Sequence, residues 1–335
     1  SDAVIWFVCM SSRIVSYDGS SWMVRRELED MGISVRSIAS GPGEVWFAAD
    51  SGAVRLRNDI WTRFGSAEGF TNAQVNAIAA DGRGTVWFGT TSGLYRFDGS
   101  SWTRFPAKTD GPLSNSIQSL AFDDTGTLHI GTSSGLSSFD GEKWTSFPLG
   151  DGTASSTIAS ITPAPGGVLW LGTRGGLIRF AKGDTTRCTP ENSGLPDRII
   201  RAAAVDARGT LWVATGDTHT PSTPKNGAAR YDGSSWRSVR APSIGGESVY
   251  GMATGRDGSL WFATANDPGV SRYDGSTWRT WSSNDCPALG SVRAIVPDAK
   301  GNMWFGAAVG AVKFDGVSWS THTAADGLPS NAIYS

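Results

Sequence analysis

Arg36, Asn76, Gln118, Ala159, Arg201, Tyr250, Arg293 and Asn331 recur along the chain at intervals of 38 to 49 residues, each next to a small residue such as Ser37, Ala77 or Ala202. Three guanidinium groups, a phenol and several amides converging on one place would suit a carboxylate, a phosphate or the hydroxyls of a glycan. Proton-transfer chemistry has far less to draw on. Of three histidines, His129 stands where other repeats carry Trp and reads as a hydrogen-bonded core residue, while His322 reads as exposed at a strand end. His219 is therefore the one acid-base candidate, with Glu247 and Tyr250 as possible neighbours.

The elements that position these residues follow from a repeat. Trp6, Trp46, Trp87, His129, Trp170, Trp212, Trp261 and Trp304 lie 40 to 49 residues apart. A second aromatic series runs Trp22, Trp61, Trp102, Trp144, Trp236, Trp278 and Trp319, with Thr185 in the vacant place, and of the 15 tryptophans Trp281 alone stands outside both series. Each unit holds four short β-type runs divided by turn signals, among them Asp-Gly pairs at Asp18, Asp98, Asp140, Asp232, Asp274 and Asp315. Four antiparallel strands per unit of about 40 residues mark a β-propeller blade. Eight anchors predict an all-β, eight-bladed propeller over residues 1–335, with blade one made of 1–30 plus a C-terminal strand at 328–335 that closes the ring. The tryptophans then read as packing between blades, and the variable polar row as the rim of the central channel.

Composition narrows the function. The 335 residues carry 43 Gly but only 7 Glu and 6 Lys, a balance that favours strands and tight turns over helices. A net charge of -2 gives no basic field for a polyphosphate backbone, so nucleic acid is not an expected partner. Cys9, Cys188 and Cys286 are odd in number and far apart, which signals neither a disulfide framework nor a zinc site. No apolar run approaches the roughly 20 residues of a spanning helix, and no membrane insertion is expected. No metal site and no cofactor motif is present; a single Asp per turn supplies too few oxygens for Ca2+. The start at SDAVIWF, inside an expected strand, reads as a trimmed end.

The blade pattern D-x-x-G-x-x-W-F-G-T, S-G-L-x-R-F-D-G-x-x-W, clearest at 81–102, 206–236 and 298–319, resembles the two-component regulator propeller repeat. That resemblance implies an extracytoplasmic (periplasmic or extracellular) ligand-sensing module of the kind found in hybrid histidine kinases, where the blades belong to longer chains with a β-sandwich module and a membrane segment. The stretch Gly41 to Phe47 is similar to the blades of streptogramin lyases, whose catalytic His and Glu find no counterpart in spacing here. The D-x-x-G-x-x-W turn resembles the Asp box of sialidases and reads as a local device in which Asp81 or Asp298 accepts from turn amides.

Together these point to a monomeric, non-enzymatic propeller that binds a glycan, peptide or small anion through Arg36, Asn76, Gln118, Arg201, Tyr250, Arg293 and Asn331. Two alternatives stand beside it: a lyase or glycoside-processing enzyme using the arginine row with His219, Glu247 or Tyr250, and a protein-interaction or repeat-derived structural propeller. The insertion from Gly216 to Gly227 and the shorter Ala265 to Gly269 fall on the loops expected to border the same rim.

Overall fold

The computed structural model describes residues 4–9, 13–41, 43–70, 73–107, 110–149, 156–206, 208–215, 227–239, 244, 249–264 and 268–333. They form an eight-bladed β-propeller, with one short α-helix at Glu27–Asp30. Seven blades are four-stranded antiparallel sheets, and the first has three strands, Ile5–Val8, Ile14–Tyr17 and Trp22–Arg25. Blade three shows the common plan of four strands, Val75–Ala80, Val86–Thr90, Gly93–Phe97 and Trp102–Phe105, each paired with the next. By contact density the chain divides into residues 27–187, holding blades two to four and most of five, and residues 1–26 with 188–335.

Turn chemistry explains why the strands stop where they do. In each Asp-Gly hairpin the aspartate caps the turn: Asp98 Oδ1 accepts from the amides of Ser100 and Ser101 at 3.0 and 2.8 Å, while Gly99 takes a φ of 99° that a Cβ would strain. Those amide bonds hold the exposed Asp98 carboxyl below its usual range. The second-to-third-strand turn is tied by threonine, with Thr90 Oγ1 donating to the Gly93 carbonyl at 2.7 Å.

The tryptophans fill the seams, one on each face of a sheet. Trp87, 4% exposed, packs with Ile117, Leu128 and Ile130 of blade four, whereas Trp102 packs in the opposite direction with Trp46, Phe88 and Phe97. Such pairs adopt the tilted and edge-on geometries that ring quadrupoles favour. Trp281 holds the place that Phe64 and Phe105 occupy in their blades and stacks on Trp261 at 5.2 Å with planes 8° apart. It belongs to the seam after all. Cys9, Cys188 and Cys286 are buried and outside any disulfide, packed as small apolar residues would be.

The C-terminal segment lies against blade one. Leu328 and Ile333 are buried with Phe7, Cys9 and Val15, and Ile333 forms an antiparallel bridge with Cys9 while its amide donates to the Ala307 carbonyl at 3.1 Å. Residues 334 and 335 lie outside the described residues.

Candidate functional site

The row of variable side chains has a structural cause that the sequence pattern alone did not reveal. In blade three Val75 pairs with Thr90 and Ala77 with Gly89, so Asn76 is the extra residue of a β-bulge. The same shift falls on Arg36, Gln118, Ala159, Arg201, Tyr250 and Arg293. A bulge leaves its extra residue out of the ladder and turns its side chain away from the pleat, which frees that position from the packing rules that fix its neighbours. The residues opposite are small because the next blade approaches closely: a Cβ on Gly89 would stand 2.5 Å from Ile117 Cγ2.

Asn331 does not belong to this row. The bridge to Cys9 gives Ile333 the place of Val75 and Ile117, which sets Asn331 two residues ahead of the strand. Its Oδ1 accepts from the Ala324 amide at 2.7 Å, the job Asn115 does for Ala107 at 2.7 Å. The cause is register: aligning on the lead-in Gly327-Leu328-Pro329 without the bridge misplaces the strand by three residues. The place after Ile333 is Tyr334, outside the described residues.

Within residues 27–187 the row is largely committed to the scaffold. Asn76 Nδ2 donates to the Ile117 carbonyl of the next blade at 2.9 Å, and Gln118 Nε2 donates to Ser116 Oγ at 3.0 Å. Arg36 pairs with Asp50, and Gln74, with its amide oxygen toward the guanidinium, accepts from it at 2.8 to 3.1 Å. Asp50 and Gln74 in turn border an open groove of about 840 Å3 together with Ser51, Arg63 and Thr91. Sequence reading missed that groove. Its signal was Asp50, an acid at a turn position where blades three to five carry Thr91, Ser133 and Arg174.

In the other unit, blades six and seven place the Arg201 guanidinium 5.0 Å from the Tyr250 ring centroid, a cation-π contact that orients both groups. Arg293 follows on blade eight and is exposed. Nearby in sequence, Asp197 Oδ1 accepts from the Ile199 amide at 2.9 Å. His219, Glu247 and the insertion at 216–226 lie outside the described residues, as do 265–267.

The other two histidines are structural. His129 is 7% exposed, with Nδ1 2.8 Å from Ser138 Oγ and Nε2 2.9 Å from Asp123 Oδ2, the acceptor that Asp206 and Asp298 offer at 3.0 Å to the indoles of Trp212 and Trp304. Imidazole thus replaces indole as donor. Asp81 and Asp298 accept from turn amides as expected. His322 departs from its expected exposure. Its ring is half-buried, stacked on Trp304 at 5.6 Å and close to Tyr17 and Trp22, and burial pulls its pKa below the usual imidazole value, with Lys313 adding to and Asp326 opposing the shift. A depressed pKa means the unfolded chain binds the proton first, so stability falls as pH drops below the ordinary imidazole range. Denaturant melts of the parent from pH 8 to pH 5 are expected to show this slope, and a His322→Phe variant to lack its imidazole component.

Residues 69–92 match the model of the two component regulator propeller family. The match covers the lead-in of blade three and its first two strands, including the bulge at Asn76 and the Asp81 turn. No curated protein sequence matches the chain. Among solved structures, the extracellular domain of a hybrid two component system of B. thetaiotaomicron is similar over 99% of this chain and 53% of its own length, with 15% identity and a TM-score of 0.59. Virginiamycin B lyase of Staphylococcus aureus is similar over 74% of this chain and 84% of its own, with 15% identity and a TM-score of 0.55. At such identities the likeness concerns the fold. The chain spans about half the length of the two component system domain.

Proposed function

We propose that the chain is a ligand-recognition propeller of the extracytoplasmic sensor type, which takes a small anionic solute such as an acidic glycan on the side chains of Arg201, Tyr250 and Arg293. The observation that carries this reading is the bulge in each of the seven blades whose first strand is described. A position released from the ladder varies freely between blades, while the residues on either side stay apolar or small. Scaffold and recognition are thereby separated in one strand, and successive blades supply two guanidinium groups with a phenol between them. The fold shared with an extracellular two component system domain supports the sensor assignment and a place outside the cytoplasm.

Calorimetric titration with uronic acids, the matching neutral sugars and short acidic peptides tests it. The parent is expected to bind an acidic solute, and a double Arg201→Ala, Arg293→Ala variant to lose about tenfold or more in affinity. An unchanged affinity in that variant would overturn the assignment.

A further inference from the structure

The turn after each first strand offers a second set of side chains, at the opposite end of that strand from the bulge. Two residues past the box aspartate stand Arg83, Arg208 and Lys300 in blades three, six and eight. In blade six Arg208 crosses to the hairpin of blade seven, its Nη1 donating to the Gly275 carbonyl at 2.9 Å, and the cavity left in that seam is about 100 Å3. Lys300 reaches the hairpin of blade one, with Nζ 3.6 Å from where a Cβ on Gly19 would lie, and that cavity is about 40 Å3. In blade three Arg83 makes no such crossing. The seam between blades three and four holds a cavity of about 460 Å3, within the range of small-ligand sites.

Its blade three wall carries Arg83 and Arg96 beside Asp81, whose Oδ1 is taken up by turn amides, and its blade four wall carries Asp123, Asp124 and Asp140; among the described residues no ion pair bridges the two. On the blade three wall the Arg83 side chain has no hydrogen-bond or ion-pair partner among the described residues, and Arg96 lies over the Trp87 ring with its Nε buried and unpaired, as Arg55 and Arg272 do over Trp46 and Trp261, while its Nη2 stands 3.9 Å from Asp98. Among the described residues the Trp87 indole N–H has no acceptor, in contrast to those of Trp212 and Trp304. On the blade four wall Asp124 makes no hydrogen bond or ion pair among the described residues, and Asp140 accepts from two amides there through Oδ1. Phe122 and Phe139 supply an apolar floor. A ligand that offers an anion to Arg83 and Arg96 and a cation to Asp124 and Asp140 pairs groups otherwise left to solvent.

We propose that this seam binds a free α-amino acid. Its carboxylate sits on Arg83, Arg96 and the Trp87 N–H, its ammonium on Asp124 and Asp140, and its side chain against Phe122 and Phe139. A neutral sugar would leave both walls without a counter-charge, and a simple anion would face the aspartates of blade four.

Calorimetric titration of the full chain with L-leucine and L-phenylalanine, their N-acetyl derivatives and their methyl esters tests the proposal. The free amino acids are expected to bind, and removal of either ligand charge, or Asp124→Asn on the protein, to weaken binding about tenfold. Because Asp124 is exposed and bonded to nothing, that variant should melt as the parent does. The double Arg201→Ala, Arg293→Ala variant should bind amino acids unchanged, which separates this site from the bulge row. No binding of either amino acid at about 10 mM, equal binding of the N-acetyl forms, or tighter binding of a neutral sugar would each overturn it.

Discussion

Trp46→Ala is expected to lower the free energy of unfolding by about 3–5 kcal/mol, the range for removing a large aromatic from a packed core. Trp46 is fully buried and touches two blades at once: Phe64 stacks on it at 5.4 Å within its own sheet, and Phe88, Phe97 and Trp102 meet it from blade three at 5.1 to 6.1 Å. Its indole N–H also donates to Glu44 Oε1 at 2.7 Å, and Arg55 lies over its ring. Equilibrium denaturation followed by tryptophan fluorescence and by far-ultraviolet circular dichroism measures the loss. The control is Ile60→Ala, at a side chain 66% exposed, which should stay within about 0.5 kcal/mol of the parent.

The second large effect is expected at the box aspartates, and it should differ between blades. Asp298 accepts from the amides of Lys300 and Asn302 at 2.8 and 2.9 Å, from Asn302 Nδ2 at 2.6 Å and from the Trp304 indole at 3.0 Å. Partial burial alone would raise its pKa, but these bonds outweigh burial and hold it below the usual carboxylate range. Its contribution to stability is therefore present above the ordinary carboxylate pKa and lost as pH falls through the depressed value. Asp298→Ala strands two amides and a buried indole N–H, for a loss of about 2–4 kcal/mol near neutral pH. Asp81→Ala should cost about half as much, because Asp81 accepts only the amides of Arg83 and Thr85, and Trp87 makes no use of it. Parallel denaturation of the two variants at pH 7 and pH 3 checks both the ranking and the sign. Equal losses at pH 7 would show that the indole bond contributes nothing.

The blade count, the strand order and the packing role of the tryptophans were legible in the sequence because all three rest on local chemistry repeated many times. An Asp-Gly pair sets a hairpin wherever it occurs, and an indole every 40 residues has few other uses in a sheet. The place of the variable row was legible too, yet its cause was not. A bulge is visible only once two strands are paired, and nothing in Val75-Asn76-Ala77 marks Asn76 as unpaired until Thr90 and Gly89 are set opposite. The same blindness misplaced Asn331, since strand register depends on a partner far away in the chain. His322 read as exposed because strand-end histidines lie at surfaces, whereas Tyr17 and Trp22 cover it from a blade at the other end of the chain. The seam cavity of blades three and four could not be foreseen. It arises from Arg83 failing to cross a seam that Arg208 crosses, and the two turns read alike.

We propose that the bulge side chains of blades six to eight serve recognition while the repeated residues serve the fold, and thermal melting of two variants side by side tests that division most directly. A triple Arg201→Ala, Tyr250→Ala, Arg293→Ala variant is expected to melt within about 2 °C of the parent, while Trp46→Ala melts far below it. A triple variant that melted as low as Trp46→Ala would contradict the account, because the bulge row would then be holding the blades together.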